Sequence, residues 1–355
     1  MNELAQTHAI RHSVRRKLFV GVSSLALVGY ASAIDVAKAE DAKKPILWVE
    51  LDGQYSQLQD RGTILSPPFL SDSPFDGISH LDLEKGPRFD WDKGAKIVLQ
   101  PDGSDWFFLL GARYGKSSRS GVRDSHPAAT NLTKYSGNRY SAYQNLSVAS
   151  SESHVVLDFQ AGKDVGIGSF GKGGSSTLGV GIRVAQFRSR NHTAIRSQPT
   201  NQPTGYATVN KFDAVFDASK RFNGIGPSIS WSAYSTIVGK SSSESITFDW
   251  GVNGALLFGR QKTTVQHSTE ENRWHNYQPS LISGTSTSLT RSHSVAVPNF
   301  GGFAGISWRY PHGKVSLGYR ADLFFGAMDE GVDMRATKTV GFYGPFASVS
   351  IGLGG

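Results

Sequence analysis

Apolar side chains recur at every second position along most of this chain. In 315–325, Val315, Leu317, Tyr319, Ala321, Leu323 and Phe325 share one face, and Ser316, Gly318, Arg320, Asp322 and Phe324 share the other. A strand sends successive side chains to opposite faces, so this period predicts strands with one apolar and one mostly polar face. In 244–262, Ile246, Phe248, Trp250, Val252, Leu256 and Phe258 oppose Thr247, Asp249, Gly251, Asn253 and Ala255. Similar alternation runs through 46–57, 88–100 and 152–163. Ten segments qualify: 46–57, 88–100, 105–116, 152–163, 176–189, 211–234, 244–262, 295–310, 314–327 and 340–354. In the sixth, the alternation changes phase near Gly224, which predicts a bulge or a longer, bent strand. No segment holds a helical period over three turns.

The connections predicted by these boundaries alternate between long and short. Segments 58–87, 117–151, 190–210, 263–294 and 328–339 are long. The intervening ones, 101–104, 164–175, 235–243 and 311–313, have at most 12 residues and include turn sequences such as Pro101-Asp102-Gly103-Ser104 and Pro311-His312-Gly313. Short turns at one end, long loops at the other and an even strand number predict an all-β fold. It is a single antiparallel transmembrane barrel of about ten strands in an outer membrane, with periplasmic turns and extracellular loops. Trp48, Trp106, Trp231, Trp250 and Trp308 fall at strand ends near short turns or the N-terminus, and Trp91 near an opposite end, as girdles at the membrane boundaries require. Aromatics that staple turns in any β-protein are the plainer explanation.

Composition narrows the class. The 355 residues include 40 Gly and no Cys, and 38% are hydrophobic. That excludes a polytopic helical membrane protein, disulfides, thiol nucleophiles and a lipoprotein anchor. The N-terminus carries Arg11, Arg15, Arg16 and Lys17, then an apolar run from Leu18 to Tyr30, then Ala31-Ser32-Ala33. This is the pattern of a cleaved signal over 1–33, leaving 34–355 as the barrel domain. The alternative, a membrane anchor, needs ~20 apolar residues. The formal charge of +8 falls to +5 without the predicted signal's net +3, a mild surplus that, with export, argues against a nucleic-acid partner.

Chemical motifs are few. Gly166 to Gly171 spells G-x-G-x-x-G, but a strand rather than a helix follows, so it reads as a turn. In the predicted barrel domain the His residues are scattered without metal spacing, and no cofactor is expected. His80, Asp82, Asp124 and His126 are rim candidates for acid–base work, but the chain is expected not to be an enzyme.

Charge on the inward face is the sharper feature. Alternation sends Glu50, Asp52, Arg88, Asp90, Asp92, Lys96, Arg113, Asp158, Arg183, Asp249, Arg309, Arg320 and Asp322 to the lumen. Seven are acids and six are bases. They would line either a polar solute path or a paired network filling a narrow barrel. Pairing of Arg320 with Asp322 along one strand is one expectation. Near the long loops, Lys116, Arg119, Arg188, Arg190 and Lys262 form a basic rim suited to anionic lipopolysaccharide, or a generic solvated surface.

Five stretches resemble the Legionella-type major outer membrane protein family. They are SHVVLDFQAGKDVGIG (153–168), GVGIRVAQFRSR (179–190), FNGIGPSISW (222–231), GVNGALLFGR (251–260) and GFYGPFASVSIGLG (341–354). The resemblance implies an outer-membrane barrel of a Gram-negative bacterium, with porin-like or adhesive roles, and carries over no catalytic residue. The chain ends Leu353-Gly354-Gly355, where such barrels usually end in an aromatic that the barrel assembly machinery recognises. The expected function is a porin-like or structural envelope protein. The alternatives are a surface adhesin for host or cell-surface ligands, a lipopolysaccharide-bridging scaffold and a barrel enzyme.

Overall fold

The computed structural model describes residues 46–58, 88–124, 145–166, 174–197, 209–239, 244–275, 278–331 and 335–354. They form a closed, ten-stranded antiparallel barrel with no helix among the described residues. The strands are β1 (Leu47–Leu58), β2 (Arg88–Leu99), β3 (Trp106–Asp124), β4 (Asn145–Asp164), β5 (Ser175–Ser197), β6 (Val209–Gly239), β7 (Ser245–His275), β8 (Gln278–Tyr310), β9 (Gly313–Asp329) and β10 (Thr337–Leu353). Each pairs with its sequence neighbours, and β1 closes on β10 with Leu47 opposite Leu353. Closure leaves no continuous free edge around the base of the wall.

All ten predicted strands exist, but several are longer than predicted. The chain in 263–294 is no loop. It continues β7 and β8 as a tall hairpin, with Lys262 opposite Ser292 and His275 opposite Gln278. Likewise β3 runs to Asp124 and β4 starts at Asn145, shortening the predicted 117–151 connection. These extensions are rich in Ser and Thr. They therefore lack the apolar face that marks a strand in sequence. Residues 1–33, the predicted signal, lie outside the described residues, as do His80, Asp82 and His126.

Outside, the wall carries a belt of exposed apolar residues. Ladder register sets Ala112, Leu157, Val184, Ile225, Phe258 and Ala296 side by side across β3 to β8. Leu317 is 64% exposed and Phe300 58%, although neither belongs on a wetted surface. Near the short turns, Trp106 and Trp308 point outward. There Trp231 donates its indole N–H to Ser176 Oγ (2.8 Å) and meets Trp250 edge-on at 4.6 Å. Trp91 and Tyr55, 5.3 Å apart, mark the opposite side of the belt. Trp48 is an exception to the girdle, because its register places it on the face of Glu50 and Asp52.

The predicted bulge at Gly224 is absent. Pairing of β6 with β5 keeps one register from Ser197–Phe212 to Ser175–Tyr234, and the irregularity on β6 falls between Thr236 and Val238. The phase change has another cause. Ile225, Pro227 and Ile229 face outward in the belt, whereas Ala214, Phe216, Ala218 and Phe222 face inward above it. Apolar residues therefore change faces along β6: they point outward within the exposed belt and inward where the interior above it is packed.

Candidate functional site

The barrel interior is built in layers. The lower layer, near the short turns, is polar. Arg309 bridges to Asp249 (2.8 Å), donates to Thr247 Oγ1 (3.1 Å), and its guanidinium lies 3.7 Å from the centre of the Tyr234 ring. Lys314 reaches Glu50 at 3.4 Å and Asp249 at 3.8 Å. The sequence reading missed Lys314, although its parity with Ser316 places it on the same inward face.

At mid-height each arginine finds an acid on another strand. Arg320 pairs with Asp52 across the β1–β10 seam (2.8 Å) and lies over the Phe346 ring. Arg113 pairs with Asp322 at 2.5 Å. The expected Arg320–Asp322 pair does not form: residues two apart on a strand are about 7 Å apart, whereas the curved wall brings other strands closer. Arg183 holds both Asp158 oxygens, at 2.6 and 3.1 Å, and also donates to the side-chain carbonyls of Asn253 (2.6 Å) and Asn299. A guanidinium that is 3% exposed and meets a carboxylate bidentately is held rigidly. Among these groups runs a cavity of about 190 Å³, lined by Glu50, Asp52, Lys96, Arg113, Asp158, Arg183, Asp249, Arg320 and Asp322.

Above the charges lies an apolar seal. Phe187, Phe222, Phe324 and Phe342 meet inside the wall with Leu257, Val297, Val156 and Ala185, all at most 4% exposed. Phe187 sits 4.7 Å from Phe324 and 5.8 Å from both Phe222 and Phe342. Sequence parity placed Phe324 inward without signalling a seal, since one aromatic per strand is no pattern. On the seal rest His154, 3.9 Å from the Phe342 ring and 3.6 Å from Asp92, and Asp92 itself, which accepts from Ser56. Gly115 leaves the room for both, because a methyl group there would strike the Asp92 carboxylate and the His154 ring. Asp90 and Asp92 therefore belong not to the lower cavity but to a small vestibule above the seal, of about 50 Å³. Arg88 opens β2, and its side chain lies outside the described residues.

The end of β9 closes the top. The β8–β9 ladder stops at Asn299–Phe324, and Gly326 turns the chain with a positive φ of 67°. Ala327, Met328 and Asp329 are then buried in succession, breaking the alternation of a wall strand. Gln261 donates to Gly326 O (2.6 Å) and Thr263 to Asp329 O (3.2 Å). Arg291 clasps the Asp329 carboxylate (2.9 and 3.2 Å) and also donates to the Gly331 carbonyl. The backbone N–H groups of Gly331 and Ala336 donate to Asp329 Oδ1 at 3.1 and 3.0 Å. Burial alone would raise the Asp329 carboxyl's affinity for a proton. Arg291 and these two amides outweigh it and hold the carboxyl below the usual aspartate range.

Of the basic rim, Lys116, Arg188, Arg190 and Lys262 are exposed on the outward parity. Arg119 lies opposite Ser150 in the ladder, and its side chain is outside the described residues. Among the described residues, no cluster of three or more His, Asp and Glu side chains could hold a metal ion.

No family model and no curated protein matches the chain. Among solved structures, two mutants of the TodX monoaromatic hydrocarbon channel align with it. One is 11% identical over 87% of this chain and 90% of its own, with a TM-score of 0.21. The other is 10% identical over 88% and 90%, with a TM-score of 0.17. Likeness of this degree says nothing about what the chain does, and the functional reading rests on the barrel's own layers.

Proposed function

We propose that the protein is a barrel of a Gram-negative outer membrane whose lumen is shut at rest, a structural envelope protein with porin-like architecture and little conductance. The apolar belt and its aromatic girdles support insertion in lipid, and the resemblance of five strand motifs to the Legionella-type family fits the same reading. The observation that carries the closed lumen is the seal of Phe187, Phe222, Phe324 and Phe342, which lies directly over paired charges and is itself covered by the buried end of β9. Hydrated ions do not cross a packed apolar layer, and the paired charges beneath it have little free capacity to replace a hydration shell.

A second reading, a gated path for small solutes, draws on the charged cavity below the seal. Planar-bilayer recording separates the two. The wild type should give rare, small openings, and Phe187→Ala with Phe324→Ala should give larger and longer ones. A steady, large wild-type conductance would overturn the closed-lumen reading.

A further inference from the structure

Just above the apolar belt, the exterior of β3 to β8 turns basic. Ladder register aligns Lys116, Ser153, Arg188, Arg221, Lys262 and Ser292 in one outward row. Arg188, Arg221 and Lys262 occupy adjacent strands, which in a sheet lie about 4.8 Å apart. All three are exposed, and among the described residues no carboxylate pairs with them. Arg260 lies in the row below and donates to Ser292 Oγ (2.7 Å), and Arg190 lies in the row above. Asp217 stands four residues beyond Arg221 and is taken up by His192 at 2.7 Å.

Like charges directly opposite one another in a ladder repel, so three in file form a costly arrangement unless an anion lies between them. The height of the row identifies the anion. It is one row above Tyr114, whose ring is exposed at the edge of the belt, and two above the wholly apolar row of Leu157 and Ile225. That is the level of lipid headgroups. Above it, Ser118, Ser151, Ser219 and Thr264 surround Arg190 in an open groove of about 450 Å³.

We propose that Arg188, Arg221 and Lys262 form a binding row for the phosphates of lipopolysaccharide, with the hydroxyl-lined groove around Arg190 meeting its sugars. Each guanidinium offers a fork of N–H donors to phosphate oxygens, and one phosphate can accept from two neighbouring strands at once. The proposal rests on the orientation in which the tall wall faces outward from the cell, but not on whether the lumen is closed.

The test uses the full chain, produced in a Gram-negative host and purified in detergent. Lipid phosphate retained per barrel is measured after incubation with lipopolysaccharide and with its dephosphorylated form. Arg188→Gln with Arg221→Gln and Lys262→Gln should lower retention about tenfold. Lys163→Gln with Arg335→Gln, exposed cations away from this row, should leave it unchanged. Equal retention by the triple variant, or equal uptake of dephosphorylated lipid by the wild type, overturns the proposal. A tag within 125–144 read out on intact cells tests the orientation separately. If the tag is hidden, the outward orientation of the tall wall fails, whatever the lipid result.

Discussion

Arg291 on β8 grips Asp329, the last residue of β9, at 2.9 Å, where the ladder between these two strands has already ended. Hydrogen bonding along the sheet therefore does not hold the two strands together at this height. A buried ion pair does, and it ties the chain that covers the seal to the inner face of the tall β7–β8 hairpin.

The pair should act as a latch with a predictable pH dependence. The Asp329 carboxyl titrates below its unfolded value. Its stabilising contribution is therefore complete above the ordinary aspartate pKa of about 3.9 and is lost as pH falls through the lower folded value. Single-channel recording should show a shut barrel from neutral pH to about pH 4 and openings only in stronger acid. Arg291→Ala should open it at neutral pH and abolish the acid dependence. Acid-induced opening that survives in Arg291→Ala would place the switch elsewhere.

The lumen charges should set selectivity once the seal is open. In a Phe187→Ala, Phe324→Ala background, Asp52→Ala leaves Arg320 without its acid and should shift reversal potentials towards anions. Arg320→Ala frees Asp52 and should shift them towards cations. Asp322→Ala should act through Arg113, its partner at 2.5 Å. Recording under a salt gradient measures all three, and identical reversal potentials would show that these side chains do not line the ion path.

The Arg183–Asp158 pair should matter more broken than absent. Asp158→Ala leaves a buried guanidinium without its acid and should cost about 3 kcal/mol in a urea titration of the folded barrel. Replacing both partners, Arg183→Met with Asp158→Leu, should recover most of that loss. A double variant as unstable as the single one would mean that packing, not charge burial, sets the cost.

Orientation is checked on intact cells. Labels in 125–144 should react from outside, and labels at Asp102 or His312 should react only after the outer membrane is opened. The reverse pattern would invert the barrel.

The sequence by itself determined the strand count and the alternation of faces along each predicted strand, because a period of two is a local property, set one residue at a time by the surroundings of each face. It also held the phase change at Gly224, but not its meaning. Inside and outside exchange polarity where the exposed apolar belt ends and the packed interior begins, and only the assembled barrel shows where that happens. Tertiary structure alone decided which charge meets which. Asp52 and Arg320 are 268 residues apart in the chain and become neighbours only when β1 closes on β10. The same holds for the row of Arg188, Arg221 and Lys262, which single strands carry one at a time and ladder register aligns. The turn at Gly326 was hidden as well. A strand pattern that continues through Phe325 gives no sign that the next residues leave the wall, because the groups that draw them inward, Gln261, Thr263 and Arg291, lie on other strands.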